Sequence, residues 1–256
     1  MSIAVSLLKV RYHLSFTAVV AGALLFAPEI DARLGVRLTL LYLTFNVLLY
    51  GGIYAFNDVA DRKTDAAHPG KRLRPVASGQ LSVRGAVALA GALVVAGLLL
   101  AGLLFPMSVV LSFGAAVAIN AVYSCGGRNV PYVDILLNGA PHPLRFLLGV
   151  LLVGHTPPAG HLAAWLCLAC GIACVRRLVE KDALGESSRP TLAWYSEGGL
   201  VMAMNFGLLA VLTLATLDGL TSPGFYALVL TGYVLLVMGG RWPAYRRSLG
   251  AWLWLR

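Results

Sequence analysis

Asp58, Asp61 and Asp65 recur at i, i+3 and i+7, so a helix running through them turns three carboxylates to one face. Such a row repels itself unless cations stand against it. Hard carboxylate oxygens suit Mg²⁺, which usually takes one or two of them together with substrate phosphate oxygens. Asn57 adds an amide oxygen at the same end. Downstream, His68, Lys71, Arg72 and Arg74 form a basic run, and Pro69 and Gly70 break the helix between acids and bases so that the chain can turn back. Acids for a metal and bases for a phosphate in one stretch describe a place that manages a diphosphate. A solvated connection touching anionic lipid headgroups accounts for the bases, but it leaves the acids among them without a reason.

The elements that position this stretch are membrane helices. The chain is 59% hydrophobic and 12% charged, with a mean hydropathy of +0.79. Its repeated apolar runs of about 20 residues fit bilayer spans and exclude a soluble core. Spans are expected over 14–27, 38–56, 86–105, 107–123, 133–153, 161–175, 200–217 and 225–240, with the short tail 248–256 left for a truncated or interfacial ninth. The fold expected is all-α, a polytopic helical bundle in a single domain, 1–256, with polar loops 57–84 and 176–199 over the site. Spans three and four meet at Pro106 and so lie antiparallel. Most bases then fall on the side of the acidic stretch, with Arg33 and Arg37 opposite, which puts the N-terminus and both polar loops in the cytoplasm. The same placement explains the net charge of +9 without nucleic acid. Cys167, Cys170 and Cys174 recur at helical spacing in one apolar run and read as small core residues. The first apolar run lacks the small-x-small exit of a cleavable signal.

Further charges stand where membrane proteins rarely keep them. Span five holds Asn138, Pro141, His142, Pro143 and Arg145, and an ionisable group within a span usually faces a bundle interior or polar cavity. Arg145 is therefore a substrate-binding candidate. Asp134 is a possible partner for it, although eleven residues, about three turns, separate them. The segment 176–199 is a second place where acids and bases mix, among them Arg176, Arg177, Glu180, Asp182, Glu186 and Arg189.

Asn57, Asp58, Asp61 and Asp65 match without a gap the first aspartate motif, N-D-x-x-D-x-x-x-D, of the UbiA superfamily of intramembrane prenyltransferases, which this chain resembles. Tyr123 and Ser124, with Arg128 at the lysine position, resemble its Y-S-x-x-L-K segment; Gly127 replaces the usual leucine. The second aspartate motif of the superfamily is degenerate here, with Glu180, Asp182 and Glu186 as the nearest equivalents. Within the superfamily, His68 to Pro75, the Leu144-Arg145 pair, Arg176-Arg177 with Glu180, and the run from Arg189 through Tyr195 to Ser196 look like the decaprenyl-phosphate phosphoribosyltransferase branch. The resemblance implies a Mg²⁺-dependent enzyme of the bacterial plasma membrane with its site facing the cytoplasm. It would transfer 5-phosphoribose from phosphoribosyl pyrophosphate to a polyprenyl phosphate, as in making a cell-wall arabinan precursor. It also implies that Asp58, Asp61 and Asp65 hold metal and that Asn57, His68, Lys71, Arg72, Arg74, Tyr123, Arg128, Arg145, Arg176, Arg177, Glu180, Arg189 and Tyr195 bind substrates. The alternatives are transfer of a prenyl group to an aromatic acceptor and, in another class, transport of a lipid or solute without chemistry.

Overall fold

A computed structural model describes residues 10–67, 71–185, 190–218 and 222–249. No strand occurs among them. A 3-10 stretch, Val10–Phe16, leads into α1 (Thr17–Phe26). It is followed by α2 (Ala32–Ala60), α3 (Arg62–Ala67), α4 (Val83–Leu104), α5 (Met107–Ser124), α6 (Val133–Leu152), α7 (Ala159–Leu184), α8 (Glu197–Leu217), α9 (Pro223–Arg241) and α10 (Pro243–Leu249). Seven of these, α2 and α4 to α9, are long and apolar enough to cross a bilayer. The shorter apolar helix His13–Phe26 stands where the first span is expected. Large apolar side chains left outside, such as Leu103, Leu111 and Leu209, give these helices the exterior that hydrocarbon requires.

Local chemistry sets the helix ends. Asp31, Ser82 and Ser196 cap α2, α4 and α8 by accepting from Leu34 N, Gly85 N and Gly199 N. At Gly185 the backbone turns to φ +74°, a left-handed value that glycine adopts without strain and that stops α7. Two boundaries differ from the expected spans. The second helix begins at Ala32, because Asp31 supplies a cap there. The sixth runs on to Leu184, because neither Gly nor Pro interrupts the polar residues after Arg176. Arg176, Arg177 and Glu180 thus sit on a helix and not in a loop.

The chain divides into two compact units, 1–124 with 145–156, and 125–144 with 157–256. In the first unit the small residues set the packing. A Cβ added at Gly149 would stand 1.9 Å from Val19 O, and one at Gly22 would stand 2.2 Å from Phe146 O, so α1 and the second half of α6 touch backbone to backbone. Lacking a hydrophobic force between helices, membrane proteins gain from such close approach. A π-helical stretch, Tyr42–Leu49, precedes the last turns of α2, and Phe45 there meets Phe113 and Tyr50 edge-on, at centroid distances of 4.8 and 5.1 Å.

In the second unit α7 is the central helix, packed on α8, α9 and the first half of α6. Tyr233 donates to Met204 O at 2.7 Å and ties α9 to α8. Cys174 is buried, and with Cys167 and Cys170 it lines an apolar hollow of about 310 Å³ that Leu136, Ala203 and Tyr233 complete.

Candidate active site

In the first unit the last turns of α2 carry the acidic stretch. Asn57 and Asp58 lie on α2, Asp61 closes it as C-cap, and the chain re-enters a helix at Arg62. The carbonyls of Asn57 and Asp61 accept from the amides of Asp61 and Asp65, both at 2.8 Å, so the rise continues across the join and keeps Asp58 and Asp65 on one side. Both side chains are buried, and one nitrogen, Nη1 of Arg74, bridges them, donating to Asp58 Oδ1 at 3.2 Å and to Asp65 Oδ2 at 2.7 Å. Asp61 is half-buried and lies outside this pair. Asn57 Oδ1 accepts from Ser124 Oγ at 2.6 Å, which joins the end of α2 to the end of α5 and to Tyr123 beside it.

Deeper along α2, Arg145 is buried with its guanidinium 4.1 Å from the ring centroid of Tyr50 and 5.8 Å from that of Phe45. A cation within about 6 Å of an aromatic centroid is attracted by the ring quadrupole. Tyr50 stands two turns before Asn57 on the same helical face, a spacing visible in the sequence once the face is known. Arg72 is exposed, and Lys71 opens the 3-10 helix Lys71–Leu73. His68 lies outside the described residues.

The second unit holds a separate array. Arg177 and Asp134 are both fully buried, with Nε donating to Oδ2 at 2.8 Å. Arg177 Nη1 also meets Glu180 Oε2, and Arg176 Nε meets Glu180 Oε1 at 3.1 Å. Tyr195 donates its hydroxyl to Asp134 Oδ1, accepts from the amide of Tyr132 at 2.8 Å, and its carbonyl accepts from Lys181 Nζ at 2.6 Å. Burial, and next the bond to Asp134, hold the Tyr195 phenol above its ordinary pKa, so it stays a donor. Tyr132 is held at φ +64°, an unusual value for a non-glycine residue. Asp134 thus pairs with Arg177, a partner that the spacing within span five conceals because 43 residues separate the two. Arg246, which no sequence motif singles out, is buried against Asp182 and Glu197, both at 2.8 Å. Arg128 sits half-buried on the 3-10 helix Gly127–Asn129, while Arg189 and Glu186 lie outside the described residues.

Among the described residues no three His, Cys, Asp or Glu side chains gather as a metal-binding set. The pair Asp58 and Asp65 nonetheless fits a hard divalent ion. Their oxygens already converge on a single cationic atom, and Mg²⁺ needs only one or two carboxylates when a diphosphate brings the other oxygens.

A profile of the UbiA prenyltransferase family matches residues 14–254. Over 115 residues the chain is 32% identical to the decaprenyl-phosphate phosphoribosyltransferase of Corynebacterium glutamicum, covering 44% of this chain and 35% of that one. It is 30% identical over 180 residues to nodulation protein NoeC of Azorhizobium caulinodans, covering 67% of this chain and 57% of that one. These matches span about a third to just over half of the relatives' own lengths. Among solved structures, a UbiA homologue from Archaeoglobus fulgidus bound to GPP and Mg²⁺ superposes with a TM-score of 0.73 at 18% identity, over 98% of this chain and 100% of that one. A digeranylgeranylglyceryl phosphate synthase structure gives a TM-score of 0.74 at 17% identity, over 99% and 92%.

Proposed function

This chain belongs to the UbiA prenyltransferase family, and we propose that within it the protein transfers 5-phosphoribose from phosphoribosyl pyrophosphate to a polyprenyl phosphate. The observation that carries the branch is the charge array of the second unit. Where the resemblance calls for a second aspartate motif, α7 presents Arg176 and Arg177 with Glu180 between them, and the neighbouring acid Asp134 is taken by Arg177. Arginines standing in place of a second acidic motif suit substrates that bring a diphosphate, a ribose phosphate and a lipid phosphate. The partial identity to a decaprenyl-phosphate phosphoribosyltransferase supports the same branch.

On this reading Asp58 and Asp65 hold the divalent ion, which when bound neutralises charge growing on the leaving diphosphate. Asn57, fixed by Ser124, orients the diphosphate end, and Arg74 and Arg72 contact its oxygens. Arg145 holds a substrate phosphate while Tyr50 fixes its guanidinium plane. The anomeric carbon–oxygen bond to diphosphate breaks with its electron pair going to the diphosphate, and an oxygen of the polyprenyl phosphate forms the new bond. The excess of basic residues on the loops of the acidic stretch supports a cytoplasmic site in a bacterial plasma membrane.

A second reading, transfer of a prenyl group to an aromatic acceptor, is favoured by the fold match to a homologue bound to GPP and Mg²⁺. Purified protein given phosphoribosyl pyrophosphate with polyprenyl phosphate, and separately a prenyl diphosphate with 4-hydroxybenzoate, each with and without Mg²⁺, decides between them. We expect Mg²⁺-dependent product in the first mixture. Product in the second alone overturns the phosphoribosyl reading.

A further inference from the structure

We propose that Arg74 is an internal counter-cation that keeps the metal position closed until a diphosphate arrives, so that metal and diphosphate bind together. The inference rests on the reading of Asp58 and Asp65 as the metal-holding pair. Nη1 of Arg74 lies 3.2 Å from Asp58 Oδ1 and 2.7 Å from Asp65 Oδ2. A Mg²⁺ ion sits about 2.0–2.1 Å from each oxygen ligand, so an ion on both carboxylates takes the space that this nitrogen fills. Guanidinium and metal are therefore mutually exclusive there.

Arginine cannot leave by losing its proton, since it stays charged throughout the accessible pH range. It has to move as a cation, and its surroundings permit that. Its side chain is 23% exposed while that of Asp58 is 1% exposed, and it sits in a bend after Lys71–Leu73, outside any helix. What opposes the move is charge. The carboxylates and Arg74 together carry −1, against −2 once the guanidinium has gone, so metal alone gains its full attraction only by stripping Arg74 of two charge-assisted bonds. A diphosphate changes the balance, because its oxygens give the displaced guanidinium new acceptors and give the ion its remaining ligands. Metal alone is disfavoured, and metal with diphosphate is not.

The test is Mn²⁺ binding to the full chain in nanodiscs, read by the paramagnetic signal of the free ion, with and without inorganic pyrophosphate. Protein carrying both Asp58→Asn and Asp65→Asn supplies the background. Wild type should bind Mn²⁺ weakly alone and tightly with pyrophosphate. Arg74→Gln should bind Mn²⁺ alone about ten- to a hundredfold more tightly than wild type, the range that loss of a charged hydrogen-bond competitor gives. Pyrophosphate should then add little. Arg74→Lys keeps the charge and should stay close to wild type, which guards against an unfolded Gln variant. Equal binding of Mn²⁺ alone by wild type and Arg74→Gln, both well above the double-Asn background, overturns the role of Arg74 and leaves the metal site standing. The same holds for wild type whose binding gains nothing from pyrophosphate. Binding no better than background in every protein, pyrophosphate included, removes the metal site and this inference with it.

Discussion

At the scale of single residues, the structure pairs two of the three aspartates. Asp58 and Asp65 share one guanidinium nitrogen, while Asp61 stands at the helix end, half-buried and outside that pair. Asp58→Ala and Asp65→Ala should each lower turnover at least a hundredfold in protein that still elutes as a folded species, with Asp61→Ala the mildest of the three. Near-normal turnover in the first two would make the acidic face structural. From the i, i+3, i+7 spacing Asp58 and Asp61 read as the main metal ligands and Asp65 as the lesser one, whereas the bridge from Arg74 pairs Asp58 with Asp65. Arg145 was legible as a charge in a span, but its aromatic partners were not. A cation over an aromatic ring is worth roughly 0.5–2 kcal/mol, so Tyr50→Leu should weaken substrate affinity by about two- to thirtyfold. Tyr50→Phe keeps the ring and should not. Equal effects of the two would show that the hydroxyl, and not the face of the ring, matters.

At the scale of helices, hydropathy placed the spans well, since an apolar run long enough to cross a bilayer leaves little else for the chain to do. It could not place contacts between helices, which depend on residues too small to carry a hydropathy signal. Gly149 and Gly22 let α1 meet α6 backbone to backbone, whereas a Cβ at Gly35 meets nothing within 4 Å. Gly149→Val should therefore lower the melting temperature in detergent by well over what Gly35→Ala does, with the latter close to neutral. Comparable melting of both variants would show that α1 can slide away without cost. The ends of α2 and α7 were misjudged for different reasons. Asp31 caps α2 and so starts the helix ahead of its apolar run. The charges after Arg176 suggest a loop because they are polar, yet polarity does not break a helix and Gly185 does.

At the scale of the whole molecule, the all-helical membrane fold was legible and the charge pairing of the second unit was not, because its members come from residues 132 to 195 and no local period links them. Removing one partner of a buried ion pair typically costs about 3–5 kcal/mol, whereas removing both costs much less. Arg177→Met should thus destabilise markedly, Asp134→Asn likewise, and the double variant by clearly less than their sum in thermal melts. Additive losses would mean that the two residues act independently. The same array also implies an order of assembly. Asp134 is made first, Arg177 follows 43 residues later, and Tyr195, which satisfies the other oxygen of Asp134, comes 61 residues after Asp134. At about 5–20 residues per second, Asp134 waits about 3–12 seconds for its last partner. Until then Asp134 lacks the hydroxyl that satisfies its Oδ1 in the folded array. Ribosome-stalled chains that expose residues only as far as Leu184 should remain open to protease at the start of α6, and chains that expose Tyr195 and beyond should not. That outcome would make insertion of a helix and its commitment to a place separate events in time.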